Sequence, residues 1–163
     1  MSHDIIFNLN RKIAMLSKLK DIKILLVDDD KLIRDSLSLL FQSEGCHFTA
    51  LESAEKGREA LKTENYDIII SDYLLPGISG LEFLKHVQES HPDALKVFIT
   101  AYYSRDVFYE AIEIGVQDFI QKPYTTSIIE KSFTQLLEKD KGKNTELHIN
   151  GEKLVSFHEV VEV

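Results

Sequence analysis

Between residues 21 and 139, short β-type runs alternate with stretches of helical spacing, and this alternation restricts the chain to very few architectures. The runs are Lys23–Val27, His47–Leu51, Asp67–Ser71, Leu95–Thr100 and Gln117–Gln121. Helical stripes follow each of them, for example Leu32, Ile33, Leu37, Leu40 and Phe41 after the first, and Leu81, Leu84 and Val87 after the third. Strands alternating with helices predict a parallel sheet covered on both faces, an α/β doubly wound fold with five strands and five helices. Gly45 and Gly115 mark helix ends, Ser53 a helix start, and Thr125 or Thr126 the start of the last helix.

The ends of these runs carry the chemistry. Ile24-Leu25-Leu26-Val27 leads into Asp28-Asp29-Asp30, Ile68-Ile69-Ile70-Ser71 into Asp72, Val97-Phe98-Ile99 into Thr100, and Phe119-Ile120-Gln121 into Lys122-Pro123. In an open parallel sheet the carboxyl ends of the strands share one edge, where such folds place their ligands. Carboxylates, a hydroxyl and an amine converging there are suited to a hard cation and a phosphoryl group. Asp30 reads as a helix N-cap.

Composition excludes several alternatives. Apolar residues make up 44% and charged residues 28% of the 163 positions, as in ordinary globular proteins. A formal charge of −8 disfavours direct nucleic-acid binding, which relies on clustered Lys and Arg. No run approaches the roughly 20 apolar residues of a membrane span, and Met1-Ser2-His3-Asp4 does not resemble a signal peptide. The single cysteine, Cys46, permits no internal disulfide; it reads as a small buried hydrophobe in a cytoplasmic protein. The six histidines show no paired spacing and read as surface or core residues.

Two extensions flank residues 21–139. In residues 1–20, Ile6, Leu9, Ile13 and Leu16 lie at alternating spacings of three and four, the pattern of an amphipathic helix. It either packs on the domain or forms a dimer seam. In residues 140–163 a linker around Asp140–Asn144 precedes a β-hairpin, Leu147–Val155, with Asn150-Gly151 at its turn. An isolated hairpin is marginal in water, so it must pack on the core, a second copy or a partner.

Taken together, Leu25-Leu26-Val27-Asp28-Asp29-Asp30, Ile70-Ser71-Asp72 followed by Pro76-Gly77 and Gly80, Ile99-Thr100-Ala101 and Gln121-Lys122-Pro123-Tyr124 resemble the response regulator receiver domain of two-component signalling. The resemblance covers about residues 21–139. It implies a flavodoxin-like sheet of order 2-1-3-4-5 and a protein that signals through altered binding rather than turnover. It further implies that Asp72 is the phosphoacceptor and that Asp29 and Asp72 ligate Mg2+ or Mn2+. Asp28 would orient a bound water, and the backbone carbonyl of Leu74 would be a further ligand. Lys122 would pair with the acceptor, and Thr100 and Phe119 would be the switch residues. A sensor histidine kinase or phosphotransfer protein would be the donor. A downstream protein would bind the face formed by the fourth helix, fifth strand and fifth helix of the alternating series, roughly Ser104–Gly115 and Gln117–Glu138. The positions two after Asp72 and Thr100 are Leu74 and Tyr102, bulky residues expected to shield an aspartyl phosphate from water.

Two other readings remain open at this level. Asp28 and Asp30 are two apart, as in haloacid-dehalogenase-type phosphatases, although those need a cap and a longer core. The chain could equally be the N-terminal part of a larger regulator, with the hairpin beginning its next module.

Overall fold

The computed structural model describes residues 2–138 and 147–153. An N-terminal helix α1 (His3–Leu19) precedes the alternating series β1 (Lys23–Val27), α2 (Lys31–Ser43), β2 (His47–Leu51), α3 (Ala54–Thr63), β3 (Ile68–Ser71), α4 (Gly80–Ser90), β4 (Leu95–Thr100), α5 (Arg105–Glu113), β5 (Asp118–Gln121) and α6 (Thr126–Glu138). Two short strands follow, β6 (His148–Ile149) and β7 (Glu152–Lys153). The doubly wound parallel architecture is as the sequence predicts, with boundaries moved by one or two residues. The proposed linker and the end of the hairpin, residues 154 and 155, lie outside the described residues.

Period-two alternation in the strands divides the core in two. Leu25, Val27, Ile69, Phe98 and Phe119 face the layer containing Phe83, Leu84, Val87 and Phe108. Ile24, Leu26, Ile68, Ile70, Val97, Ile99 and Ile120 face Leu37, Phe41, Ile129 and Phe133. Helix starts are fixed by side-chain caps: Asp30, Ser53, Ser79 and Ser104 each accept a backbone N–H from the first turn. Thr125 Oγ1 accepts from Ile128 N at 3.3 Å. Gly45 and Gly115 take left-handed φ values of +80° and +74° at helix ends. Cys46 is buried and its thiol is pushed up to about 11, first by burial, consistent with an inert core residue.

The sheet differs from the five-stranded expectation. Its order is β2-β1-β3-β4-β5-β6-β7, because the C-terminal hairpin joins it. β6 pairs in parallel with β5, and β7 returns antiparallel to β6. The physical reason is the free edge of β5, whose outward N–H and C=O groups need partners.

The N-terminal stripe is also placed differently from packing along its own domain. Ile6, Leu9 and Ile13 are 44%, 53% and 55% exposed. Leu19 instead anchors the end of α1 among Leu40, Phe41, Ile129 and Phe133, and Lys12 pairs with Glu130 of α6 at 3.4 Å. No helix among the described residues is long and apolar enough to cross a membrane.

Among the buried charged residues, Lys96 is the lysine of the central sheet. Lys96 on β4 is 1% exposed, and its ammonium donates to the carbonyl of Ala94 at 3.0 Å. Burial lowers its pKa from 10.5 to about 8. At about 1.4 kcal/mol per pH unit, keeping this amine charged in the fold costs on the order of 3 kcal/mol near neutrality. The folded pKa lies below the unfolded one, so the unfolded chain binds the extra proton between them, and this contribution to stability rises with pH from about 8 to 10.5. Lys96→Met is therefore expected to be more stable than wild type at pH 7 by about 2–3 kcal/mol, with the advantage shrinking toward pH 9.5. Urea unfolding of both proteins at the two pH values checks this; a pH-independent difference would refute it.

Candidate functional site: an acidic cluster with one shared lysine

The site assembles where β1, β3, β4 and β5 end. Asp28 N–H donates to Leu51 O at 3.0 Å and Asp72 N–H to Val27 O at 2.9 Å, so the ladders that end β1 and β3 deliver both carboxylates to one edge. Asp28 is fully buried, Asp72 is 7% exposed and Asp29 is exposed. One carboxylate oxygen from each of the three lies within 4.8 Å of the others. Lys122 reaches across from the end of β5, and its Nζ donates to Asp28 Oδ2 at 2.8 Å and Asp72 Oδ2 at 2.5 Å. The Lys122–Pro123 peptide is cis, and Lys122 N–H donates to Thr100 O at 3.0 Å.

The surroundings fix each group. Asp28 Oδ1 accepts from Asp30 N at 2.9 Å, while Asp30 Oδ1 accepts from Leu32 N at 2.8 Å, so the third aspartate is the helix cap. Asp72 Oδ1 accepts from Leu74 N at 3.1 Å. Thr100 is buried, and its Oγ1 accepts from Tyr102 N at 3.1 Å. Phe119 is buried between Phe98 and Phe108, at ring separations of 5.3 and 4.7 Å. Leu74 and Tyr102, two residues beyond Asp72 and Thr100, are 58% and 44% exposed, with the Tyr102 ring stacked on Tyr73 at 5.4 Å.

Two supporting residues, Arg34 and Tyr103, escaped the sequence reading, as did the structural role of Gly80, which appears there only within the motif. The Arg34 guanidinium donates to the carbonyls of Asp28 and Asp29 at 2.9 Å each, holding the acidic loop on α2. The Tyr103 hydroxyl donates to Thr100 O at 2.8 Å. Gly80 sits so close to the end of β3 that a Cβ there would lie 1.8 Å from the carbonyl oxygen of Asp72. Arg34 could have been found from its position one turn beyond the Asp30 cap; the other two depend on tertiary approach.

Electrostatically, the cluster holds three carboxylates against one ammonium. Burial raises the Asp28 pKa, against the lowering effect of its bond to Lys122. For Lys122, burial acts downward, but the hydrogen bonds to Asp28 and Asp72 outweigh it and the pKa is raised. Like charges about 4 Å apart repel by several kcal/mol even at an effective dielectric near 20. Clustered hard oxygen donors of this kind fit a small divalent cation.

Comparison with known proteins points to one family and fold. The family model of the response regulator receiver domain matches residues 24–134. The chain is 29% identical over 114 residues to a cyclic di-GMP phosphodiesterase of Thermotoga maritima, covering 70% of this chain and 30% of that protein. It is 32% identical over 124 residues to the DNA-binding transcriptional regulator NtrC of Proteus hauseri, covering 74% of this chain and 26% of that one. The chain thus spans less than a third of the length of these relatives. Among solved structures, a CheY-like receiver domain protein from Methanospirillum hungatei superposes with a TM-score of 0.69 at 27% identity, covering 74% of this chain and 94% of that one. With most of its length matched, the chain belongs to the response regulator receiver domain family of two-component signalling.

Proposed function

We propose that this chain is a phosphorylation-dependent switch that accepts a phosphoryl group on Asp72 from a sensor histidine kinase or phosphotransfer protein. What supports the reading most is the shared lysine: Lys122 bonds both Asp28 and Asp72, with Asp29 in ligand range, although the three groups come from separate strand ends. An Asp72 carboxylate oxygen attacks the phosphorus, the P–O or P–N bond to the donor breaks, and the electron pair leaves with the donor. The result is an aspartyl phosphate. Lys122 then bonds the phosphoryl oxygens and the Thr100 hydroxyl turns to donate to them, while Phe119 responds to the space Thr100 leaves. Asp28, Asp29, Asp72 and the Leu74 carbonyl would hold Mg2+ or Mn2+. That cation, when bound, neutralises charge on the phosphoryl oxygens. The output is altered binding, in the cytoplasm, of a downstream protein on the α5–β5–α6 side at the surfaces of α5 and α6 left open by β6, which pairs with the outer edge of β5, with no direct nucleic-acid contact and no turnover of a separate substrate.

Stoichiometry tests the reading. With acetyl phosphate and Mg2+, labelling is expected to stop at one phosphoryl group per chain, with no sustained hydrolysis of p-nitrophenyl phosphate. Sustained ester turnover would favour the phosphatase alternative.

The placement of Leu74 and Tyr102 carries a kinetic consequence. Leu74→Asn/Tyr102→Glu replaces the two bulky groups that follow Asp72 and Thr100 with groups that admit and orient water, so loss of phosphate is expected to accelerate severalfold. Equal decay rates of isolated phosphorylated proteins would refute the shielding role.

The exposed stripe of α1 supports a homodimer. Ile6 and Ile13 fall at a positions and Leu9 and Leu16 at d positions of a heptad, and Ile at a with Leu at d favours two parallel strands. Sedimentation is expected to find a dimer for wild type and a monomer for Ile6→Glu/Ile13→Glu. A monomeric wild type would remove this role.

A further inference from the structure

The hairpin at residues 147–153 is gripped by the domain at every level available to so short a segment. On the backbone, His148 N–H donates to Gln117 O at 2.9 Å and Asn150 N–H to Phe119 O at 2.7 Å. At the turn, Asn150 and Gly151 take φ values of +50° and +77°. The Asn150 side chain accepts from Gln121 N at 2.9 Å and donates to Gln121 Oε1 at 3.3 Å. Beneath the turn, the buried carboxylate of Asp118 accepts both the Ser132 hydroxyl and Gly151 N–H, the latter at 3.0 Å. Leu147 and Ile149 pack in the same cluster as Phe108 and Phe119. At the rim, Lys131 pairs with Glu152. Asp118 and Gln121 thus present an acceptor and a backbone donor matched to an Asn-Gly turn. The sheet edge that results is β7, two charged residues long, a poor template for another chain.

The same contacts lead to the acidic site. Gln121, held by Asn150, immediately precedes Lys122, whose ammonium lies 2.5 Å from Asp72. A phosphoryl group on Asp72 enlarges what Lys122 must reach around, so the end of β5 has to adjust while clamped between Thr100 and Asn150.

We infer that the outer edge of β5 is a strand-docking surface filled in cis by residues 147–153, and that hairpin seating and phosphorylation of Asp72 bias each other through Phe119–Lys122. The second half rests on the function proposed above. A bias between two equilibria is reciprocal and typically amounts to about fivefold or more.

Residue-resolved hydrogen exchange on the full chain tests both halves, with Asp72 occupancy read by mass in the same samples. Adding acetyl phosphate to protein in Mg2+ is expected to change exchange at the Gln121 and Asn150 amides by about fivefold or more. Asn150→Ala, which removes one clamp, and Gly151→Ala, whose Cβ would lie 2.8 Å from Ser132 N, are each expected to speed Gln121 exchange about tenfold. Asn150→Ala is the arm that survives if Gly151→Ala does not fold. Unchanged exchange in Asn150→Ala would overturn docking. Unchanged exchange in wild type with Asp72 fully phosphorylated would overturn the coupling. Absence of any phosphoryl group on Asp72 would sink the proposed function and the coupling with it, with docking still decided by the variants.

Discussion

Gly80→Ala is expected to lower stability by at least about 3 kcal/mol and to abolish phosphoryl labelling of the remaining folded protein. Gly80 begins α4 directly behind the Ser79 cap, and its N–H donates to Tyr73 O at 3.0 Å. A Cβ there would meet the Asp72 carbonyl oxygen at 1.8 Å, the Asp72 carbonyl carbon at 2.8 Å and Tyr73 Cα at 2.9 Å. These are backbone atoms, so no rotamer change relieves the overlap. Either α4 withdraws, leaving Leu81 and Leu84 poorly packed, or the end of β3 moves and carries the Asp72 carboxylate away from Lys122. For a chain of this size the melting temperature should fall by about 6–12 °C. Thermal unfolding with and without acetyl phosphate measures both effects. A variant with wild-type melting and labelling would show that this approach places no constraint on the site.

Lys122→Met is expected to have the next largest effect. The substitution keeps most of the apolar stem and removes the ammonium shared by Asp28 and Asp72. Breaking a buried pair by deleting one partner costs about 3–5 kcal/mol. The Lys122 side chain is 18% exposed, so the lower end of that range, about 3 kcal/mol in Mg2+-free buffer, is expected. Removing a positioned charge from a developing phosphoryl site slows transfer about a hundredfold. Millimolar Mg2+ should recover much of the lost stability, because a cation among the carboxylates takes over the neutralisation, but not the transfer rate. Urea unfolding with and without Mg2+, beside labelling kinetics, separates the two. Loss of stability that Mg2+ leaves untouched would mean that the cation and the lysine do not act on the same carboxylates.

The parallel sheet and its carboxyl edge were legible because strand period, helix stripe and capping residues act locally and agreed with one another. Asp30 as cap and Asp28 as interior carboxylate follow from one run of three aspartates, since a cap must sit where the helix starts and the strand end must point inward. The hairpin was legible as a hairpin from Asn150-Gly151, but its destination was not. Pairing with β5 depends on Asp118 and Gln121, residues that read as ordinary strand positions until the edge is built. The α1 stripe likewise announced an apolar face without revealing that Ile6, Leu9 and Ile13 would stay exposed while Leu19, near the end of the helix, is buried on the domain. Lys96 was hidden for the opposite reason: its alternation with Phe98 placed it inward, but the carbonyl that receives its ammonium is visible only in three dimensions. Gly80 appeared within the motif, while its role lies in an approach of backbone to backbone that no side-chain pattern encodes.

The proposed function requires Asp28, Asp29, Asp72 and Lys122 to act as one cation-dependent acceptor site. Peptide mass mapping after acetyl phosphate, with and without Mg2+, tests this most directly. A single phosphoryl group on the Asp72 peptide, dependent on the cation and absent from Asp72→Asn, is the predicted result. Modification elsewhere, or equal labelling of Asp72→Asn, would contradict it.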